Sequence, residues 1–261
     1  MKPPNKPTNP LPSFRASSDA GVPECFIANP RQSRDVLVVV HGSNRNAGEI
    51  AMRFAIHPAF SRMTIIAPLF TEERFGQYQE LAACTPDQAP ADAALIRLLD
   101  ELASELEIAT DRFALFGISG GAQMAHRFAM FHPQRVSRLC LASTDWYSLP
   151  RADLPYPYGI GGDNGAALVG PDFFDIPTTV IVGNRDTRLD ASLRQDDLIV
   201  EHQGKNRLRR ARCYVRAAHA YADAMGKAGR PQLLTRHGIS PDFNQSVLEG
   251  DLIAAAAQAL L

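Results

Sequence analysis

The sequence predicts an α/β fold: a predominantly parallel central sheet, flanked by helices on both faces, with a short aromatic-rich cap insertion. Three observations predict it. Continuous apolar, β-branched runs recur along the chain, as in Val36-Leu37-Val38-Val39-Val40, and such runs suit strands buried on both faces of a parallel sheet. Segments with apolar residues at helical spacing stand between them, an alternation that implies crossover units. The length of 261 residues, 45% hydrophobic and 21% charged, suits one domain around one large sheet.

Residues 1–23 are rich in Pro, Asn and Ser, which predicts an extended or disordered segment ahead of a single domain over 24–261. The strand 36–40 ends in His41-Gly42. A helix over 47–56 stops before Pro58, because the residue preceding a proline is disfavoured in helix. A second buried strand spans 63–67, and 68–90 reads as loop, with Phe70, Phe75 and Tyr78 available to line a cleft. Leu95, Leu98, Leu99, Leu102 and Leu106 give the segment 91–106 one apolar helical face. A strand over 113–116, a helix over 120–131 and a strand over 136–142 follow. The stretch 143–177 breaks the rhythm. It is long, irregular and rich in Gly, Pro and aromatics, and loops of that length inside a compact domain are usually functional. A strand over 179–182 comes next. A helical stripe of Leu208, Ala211, Val215, Ala218, Ala222 and Met225 follows, then a short strand over 232–235. One final helix starts near Pro241 or Asp242 and runs into Ala254–Ala257.

The formal net charge of −1 exerts no global pull toward nucleic acid or acidic membranes. The basic run Lys205, Arg207, Arg209, Arg210, Arg212 and Arg216 reads as a solvated helix face, with an anionic substrate or partner as the sharper alternative. The cysteines Cys25, Cys84, Cys140 and Cys213 are scattered without a CxxC pair, which argues against a zinc site. No run of about 18 apolar residues predicts a membrane span. A cytoplasmic location is the default expectation and a mature secreted chain the alternative, while nothing in the residues sets an oligomeric state.

Chemistry concentrates at Gly117-Ile118-Ser119-Gly120-Gly121. A predicted buried strand precedes this G-x-S-x-G match and a helix follows it, which is the context of a nucleophile elbow. Side chains two residues either side of the serine would collide in so sharp a turn, so glycines suit those places. The helix N-terminus favours negative charge developing near the Ser119 hydroxyl. A tetrahedral oxyanion needs two fixed N–H donors. One is the amide of Gly120, and the other comes from His41-Gly42-Ser43-Asn44, best from Ser43, with His41 orienting the loop.

On these motifs residues 35–261 resemble the α/β-hydrolase superfamily, in particular small bacterial carboxylesterases and polyester depolymerases. The resemblance implies a serine hydrolase that cleaves a small-molecule carboxylic ester, or a related acyl bond, through an acyl-enzyme, with neither metal nor organic cofactor. It places the triad acid at Asp186, after Thr179-Val-Ile-Val-Gly-Asn-Arg, with Asp190 as the alternative. It places the base at His237, after the last strand. A second register lays Gly238-Ile-Ser-Pro-Asp-Phe243 on the G-x-G-H-x-F ending of many relatives and puts Pro241 where the histidine belongs. That register implies a degraded hydrolase that binds a small ligand without turnover. Trp146, Tyr147 and Tyr158 in the insertion either wall a substrate pocket or pack the cap against the sheet.

Overall fold

A computed structural model describes residues 11–30, 35–81, 88–162, 169, 171–187 and 193–261. Eight strands form one sheet: β1 (Ser13–Arg15), β2 (Glu24–Ala28), β3 (Val36–Val40), β4 (Thr64–Leu69), β5 (Phe113–Ile118), β6 (Val136–Ala142), β7 (Thr178–Gly183) and β8 (Gln232–Arg236). The order is β1-β2-β4-β3-β5-β6-β7-β8, with β1 and β2 antiparallel and the pairs from β4 to β8 parallel. The helices are α1 (Ala47–Ile56), α2 (Glu72–Phe75), α3 (Ala91–Leu106), α4 (Gly120–Phe131), α5 (Asp197–Gln203), α6 (Arg207–Ala224), α7 (Phe243–Gly250) and α8 (Leu252–Leu260). No described helix is long and apolar enough to cross a membrane.

Side chains alternate across a strand, so each central strand feeds two cores. Val36, Val38 and Val40 join Leu115, Leu139 and Val180 under α3, α4 and α6. Leu37 and Val39 join Phe116, Cys140 and Ile181 under α1 and α8. Every one of these side chains is buried, and complete burial of a Val, Leu or Phe contributes roughly 1.5–3 kcal/mol.

The chain runs outward from β3 to β4 and then returns to place β5 on the other side of β3. Such a reversal opens a crevice at the carboxyl ends of the two strands. The loop after β3 begins with His41-Gly42 and the turn after β5 is Ser119, so the topology itself sets the two motifs side by side.

Several expectations change. Residues 13–15, inside the segment expected to be extended or disordered, form β1. Arg15 holds it to α3 through Glu101 at 2.7 Å and Glu105 at 2.6 Å. Phe70, Phe75 and Tyr78 are core residues rather than cleft walls, with Phe70 stacked on Tyr78 at 5.4 Å. The last helix is two, broken at Asp251, whose φ of 50° no helix accommodates. The basic run is not wholly solvated, because Arg207 and Arg210 are completely buried. Cys84 and Asp190 lie outside the described residues.

Candidate active site

Ser119 sits on the bend between β5 and α4 with φ 52° and ψ −119°, a conformation that costs an L-residue free energy and survives only where its surroundings enforce it. Those surroundings are glycines. A Cβ at 117 would lie 2.3 Å from the Gly121 carbonyl oxygen, and one at 121 would lie 2.3 Å from the carbonyl oxygens of both Val40 and His41. The amide of Ser119 donates to Ala142 O at 2.9 Å, which ties the elbow to the end of β6.

Across the crevice the loop 42–45 closes as a turn, with Arg45 N donating to Gly42 O at 3.0 Å. A Cβ on Gly42 would come within 3.3 Å of Ser119 Cβ, a tight contact, so the glycine lets the two loops lie close without crowding the serine. His41 fastens the loop from beneath. Its Nδ1 lies 2.8 Å from Gly42 O and its Nε2 accepts the Phe70 amide at 3.0 Å. That pair of bonds defines a neutral ring protonated on Nδ1. Burial pushes this imidazole down to about 4, with the bond to Gly42 O opposing. Tyr78 Oη donates to His41 O at 3.0 Å, and Arg45 stacks over the Tyr78 ring and reaches Phe70 O and Glu72.

Ser119 borders two cavities. One, of about 210 Å³, is lined by Gly42, Ser43, Asn44, Ser119, Pro241 and Asp242 among others. The second, of about 360 Å³, is lined by Ser43, Gln79, Glu80, Ser119, Gly120, Gln123, Asp145, Trp146 and Arg194. Both oxyanion candidates, Ser43 and Gly120, therefore stand on cavity walls shared with Ser119.

His237 does not join them. It is exposed at the top of β8, and no described hydrogen bond links it to Ser119 or Asp186. β8 lies three places from β5 in the sheet, about 14 Å at a strand spacing of about 4.8 Å. The chain then doubles back. Gly238 turns with φ 74°, and Ile239 passes so close over β7 that a Cβ on Gly183 would lie 2.0 Å from Ile239 O. Only at Pro241 does the chain reach the cavity of Ser119. Asp242 follows and caps α7, its Oδ1 accepting the Gln245 amide at 2.8 Å.

The side chain of Asp186 is nearly buried after β7, with Arg207 Nη1 3.6 Å from its Oδ1. Its carbonyl also accepts Leu208 N at 3.3 Å. Three residues along, Arg210 Nη1 donates to Asp145 Oδ1 at 2.9 Å. The first turn of α6 thus fastens the ends of both β6 and β7. Sequence reasoning missed these arginines. Their signal was helical phase, since 207, 210, 214 and 218 share one face and all four are buried.

Of the three aromatics proposed for the pocket, Trp146 alone lines a cavity beside Ser119. The guanidinium of Arg127 lies 4.2 Å from one of its ring centroids and that of Arg194 lies 5.4 Å away, while Tyr158 stacks on it at 5.4 Å. Arg127 is completely buried, donating to Gln79 O at 2.6 Å and Ser148 Oγ at 3.1 Å, and burial pulls it down to about 10. Arg194 pairs with Glu80 and Asp196, each at 2.6 Å. Tyr147 belongs to the core, stacked on Tyr214 at 4.4 Å with the two rings edge-on to the buried His126.

The eight-stranded, mostly parallel sheet with helices on both faces and a sharp strand-to-helix bend at Ser119 is the α/β-hydrolase fold. Among solved structures it is similar to poly(aspartic acid) hydrolase-1 from Sphingomonas sp. KT-1, at TM-score 0.79 and 20% identity over 97% of this chain and 99% of that one. It is also similar to a poly(3-hydroxybutyrate) depolymerase from Bordetella parapertussis, at TM-score 0.75 and 24% identity over 95% and 88%. An S-formylglutathione hydrolase from Agrobacterium tumefaciens matches at TM-score 0.55 and 13% identity over 96% and 95%. Likeness at these identities establishes the fold. No family model and no curated protein sequence matches the chain.

Proposed function

We propose that the chain recognises a carboxylic ester or related acyl compound at Ser119, with the carbonyl oxygen held by the amides of Gly120 and Ser43. The conformation of Ser119 carries this reading. Its φ of 52° with ψ of −119° is a costly conformation, enforced at the strand-to-helix bend by the close packing of Gly117 and Gly121, and it sets a hydroxyl on the wall of two cavities. The names of the three structural neighbours given above, two hydrolases and a depolymerase, agree with it.

Two versions differ in the base. In one, His237 takes the Ser119 proton, Asp186 steers the imidazole, and water releases the acyl-enzyme. In the other, Pro241 stands where the base would stand, and the chain holds its ligand with little or no turnover. The cavity lining favours the second, because Pro241 faces Ser119 and His237 does not. A proline carries no titratable group, and Asp186 already has Arg207 beside it.

Labelling with a fluorophosphonate separates the two. A positioned base contributes roughly 10²–10⁴-fold. The favoured version predicts slow or no labelling of the natural chain, no change in His237→Gln, and a gain on the order of 10²-fold in Pro241→His. Rapid labelling that His237→Gln abolishes establishes the first version instead. Labelling, in the natural chain or in Pro241→His, that persists undiminished when Ser119→Ala is added overturns both.

A further inference from the structure

The largest cavity described here lies away from Ser119, between α5 and α6. Its volume is about 410 Å³, and its walls are Val200, Glu201, His202 and Gln203 on one side and Arg209, Arg212, Cys213 and Arg216 on the other, with Gly204 and Lys205 at the junction. Arg209, Arg212 and Arg216 recur at intervals of three and four residues along one face of α6, and Lys205 stands just before the helix. All four are exposed, and among the described residues none has a carboxylate within ion-pair distance. Glu201 is the one carboxylate in the lining. Elsewhere the arginines are mostly committed: Arg15, Arg45, Arg53, Arg74, Arg97, Arg135, Arg151, Arg194, Arg207, Arg210 and Arg230 each have an acidic partner. In a chain of net charge −1, four uncommitted cations on one groove are a local excess that the rest of the molecule does not neutralise.

The groove is shaped as well as charged. Gly204 turns the chain between the helices with φ 104°. A Cβ there would lie 3.0 Å from Arg209 Cβ, so the glycine lets the arginine fold in against the turn. Asn206 caps α6 by accepting Arg209 N at 2.9 Å, and the amino end of this 18-residue helix adds positive potential beside Lys205. Guanidinium groups present planar paired donors that match phosphate oxygens. We propose that this groove binds a compact polyvalent anion of the phosphate type, such as a phosphorylated small molecule, and that Arg209 and Arg212 are its principal ligands. Two helix walls meeting at a tight turn form a short concavity, which suits a compact anion better than a long acidic polymer. The proposal is independent of the chemistry at Ser119.

The test is calorimetric titration of the full chain with sodium tripolyphosphate. Saturable binding is expected, weakened at least tenfold in Arg209→Gln/Arg212→Gln, unchanged in Ser119→Ala, and weakened by added NaCl. Both substituted positions are exposed, so the thermal midpoint without ligand stays put. Lys205→Gln, outside the helix, gives a second variant with the same direction of effect. Absence of binding overturns the proposal, as does equal binding by the variants. Binding of poly-glutamate but not of tripolyphosphate assigns the groove to an acidic chain and equally rejects a compact anion.

Discussion

Lowering the pH through the range below 6.5 should loosen the fold from the floor of the Ser119 site, through His41. The ring is buried and neutral, donating to Gly42 O and accepting from Phe70 N, and burial holds it at about 4 against an ordinary 6.5. The sign follows from which state takes the proton. Below 6.5 the unfolded chain binds a proton at this position and the folded chain does not, so stability is intact above 6.5 and falls as pH drops toward about 4. At about 1.4 kcal/mol per pH unit, the loss across that interval is about 3 kcal/mol. Typical domains have roughly 5–15 kcal/mol in all, so the loss is a large fraction. Burial also drives His126 well below its ordinary value, with the same sign. Trp146 is the only tryptophan, and its face is covered by Arg127, so its emission reports unfolding. Urea unfolding followed at that residue between pH 7 and pH 4.5 yields stability against pH. His41→Gln keeps a donor and an acceptor but does not titrate, and its slope should be shallower by about 1.4 kcal/mol per pH unit. Parallel slopes for the two proteins refute the reasoning.

Further outcomes follow from single contacts. Gly121→Ala places a methyl against two carbonyl oxygens at 2.3 Å and should cost about 3 kcal/mol, read as a lowered urea midpoint with an unchanged m-value. Asp145→Asn leaves the completely buried Arg210 without its ionic partner, and a loss of about 3–5 kcal/mol is expected in the same assay. Arg127→Met strips hydrogen bonds from Gln79 O and Ser148 Oγ. It should cost about 1–3 kcal/mol and shift Trp146 emission; an unmoved spectrum counts against the stacked geometry. Glu107→Gly should stabilise by about 1 kcal/mol, since residue 107 ends α3 with φ 55° and now puts a negative charge at a helix carboxyl end.

The sheet was legible because its central strands are buried on both faces and therefore continuous in apolar residues. β3 and β5 read this way throughout, β6 over Leu139–Ala142 and β7 over Val180–Val182. β1 escaped because it is three mostly exposed residues at the sheet's margin, and β2, although apolar and as long as β3, follows directly on a stretch rich in Pro, Asn and Ser that reads as loop. The elbow was legible because its glycines are demanded by local collisions. The course of residues 237–241 was not, because it doubles back after β8 along a path that depends on the packing of Ile239 over Gly183 and not on any local pattern. Arg207 and Arg210 were hidden among chemically identical neighbours, and only the turn of the helix separates the two buried from the exposed.

The placement of Ser119 between two unequal chambers restricts how any ligand can lie there. A molecule touching the hydroxyl at its middle has to straddle a divide, sending one limb toward Pro241 and the other toward Trp146. The side toward Pro241, of about 210 Å³, offers less room than the side toward Trp146, of about 360 Å³, so a ligand with limbs of unequal bulk would fit better one way round than the other. Compounds too short to straddle would occupy one side alone and leave the hydroxyl at their edge.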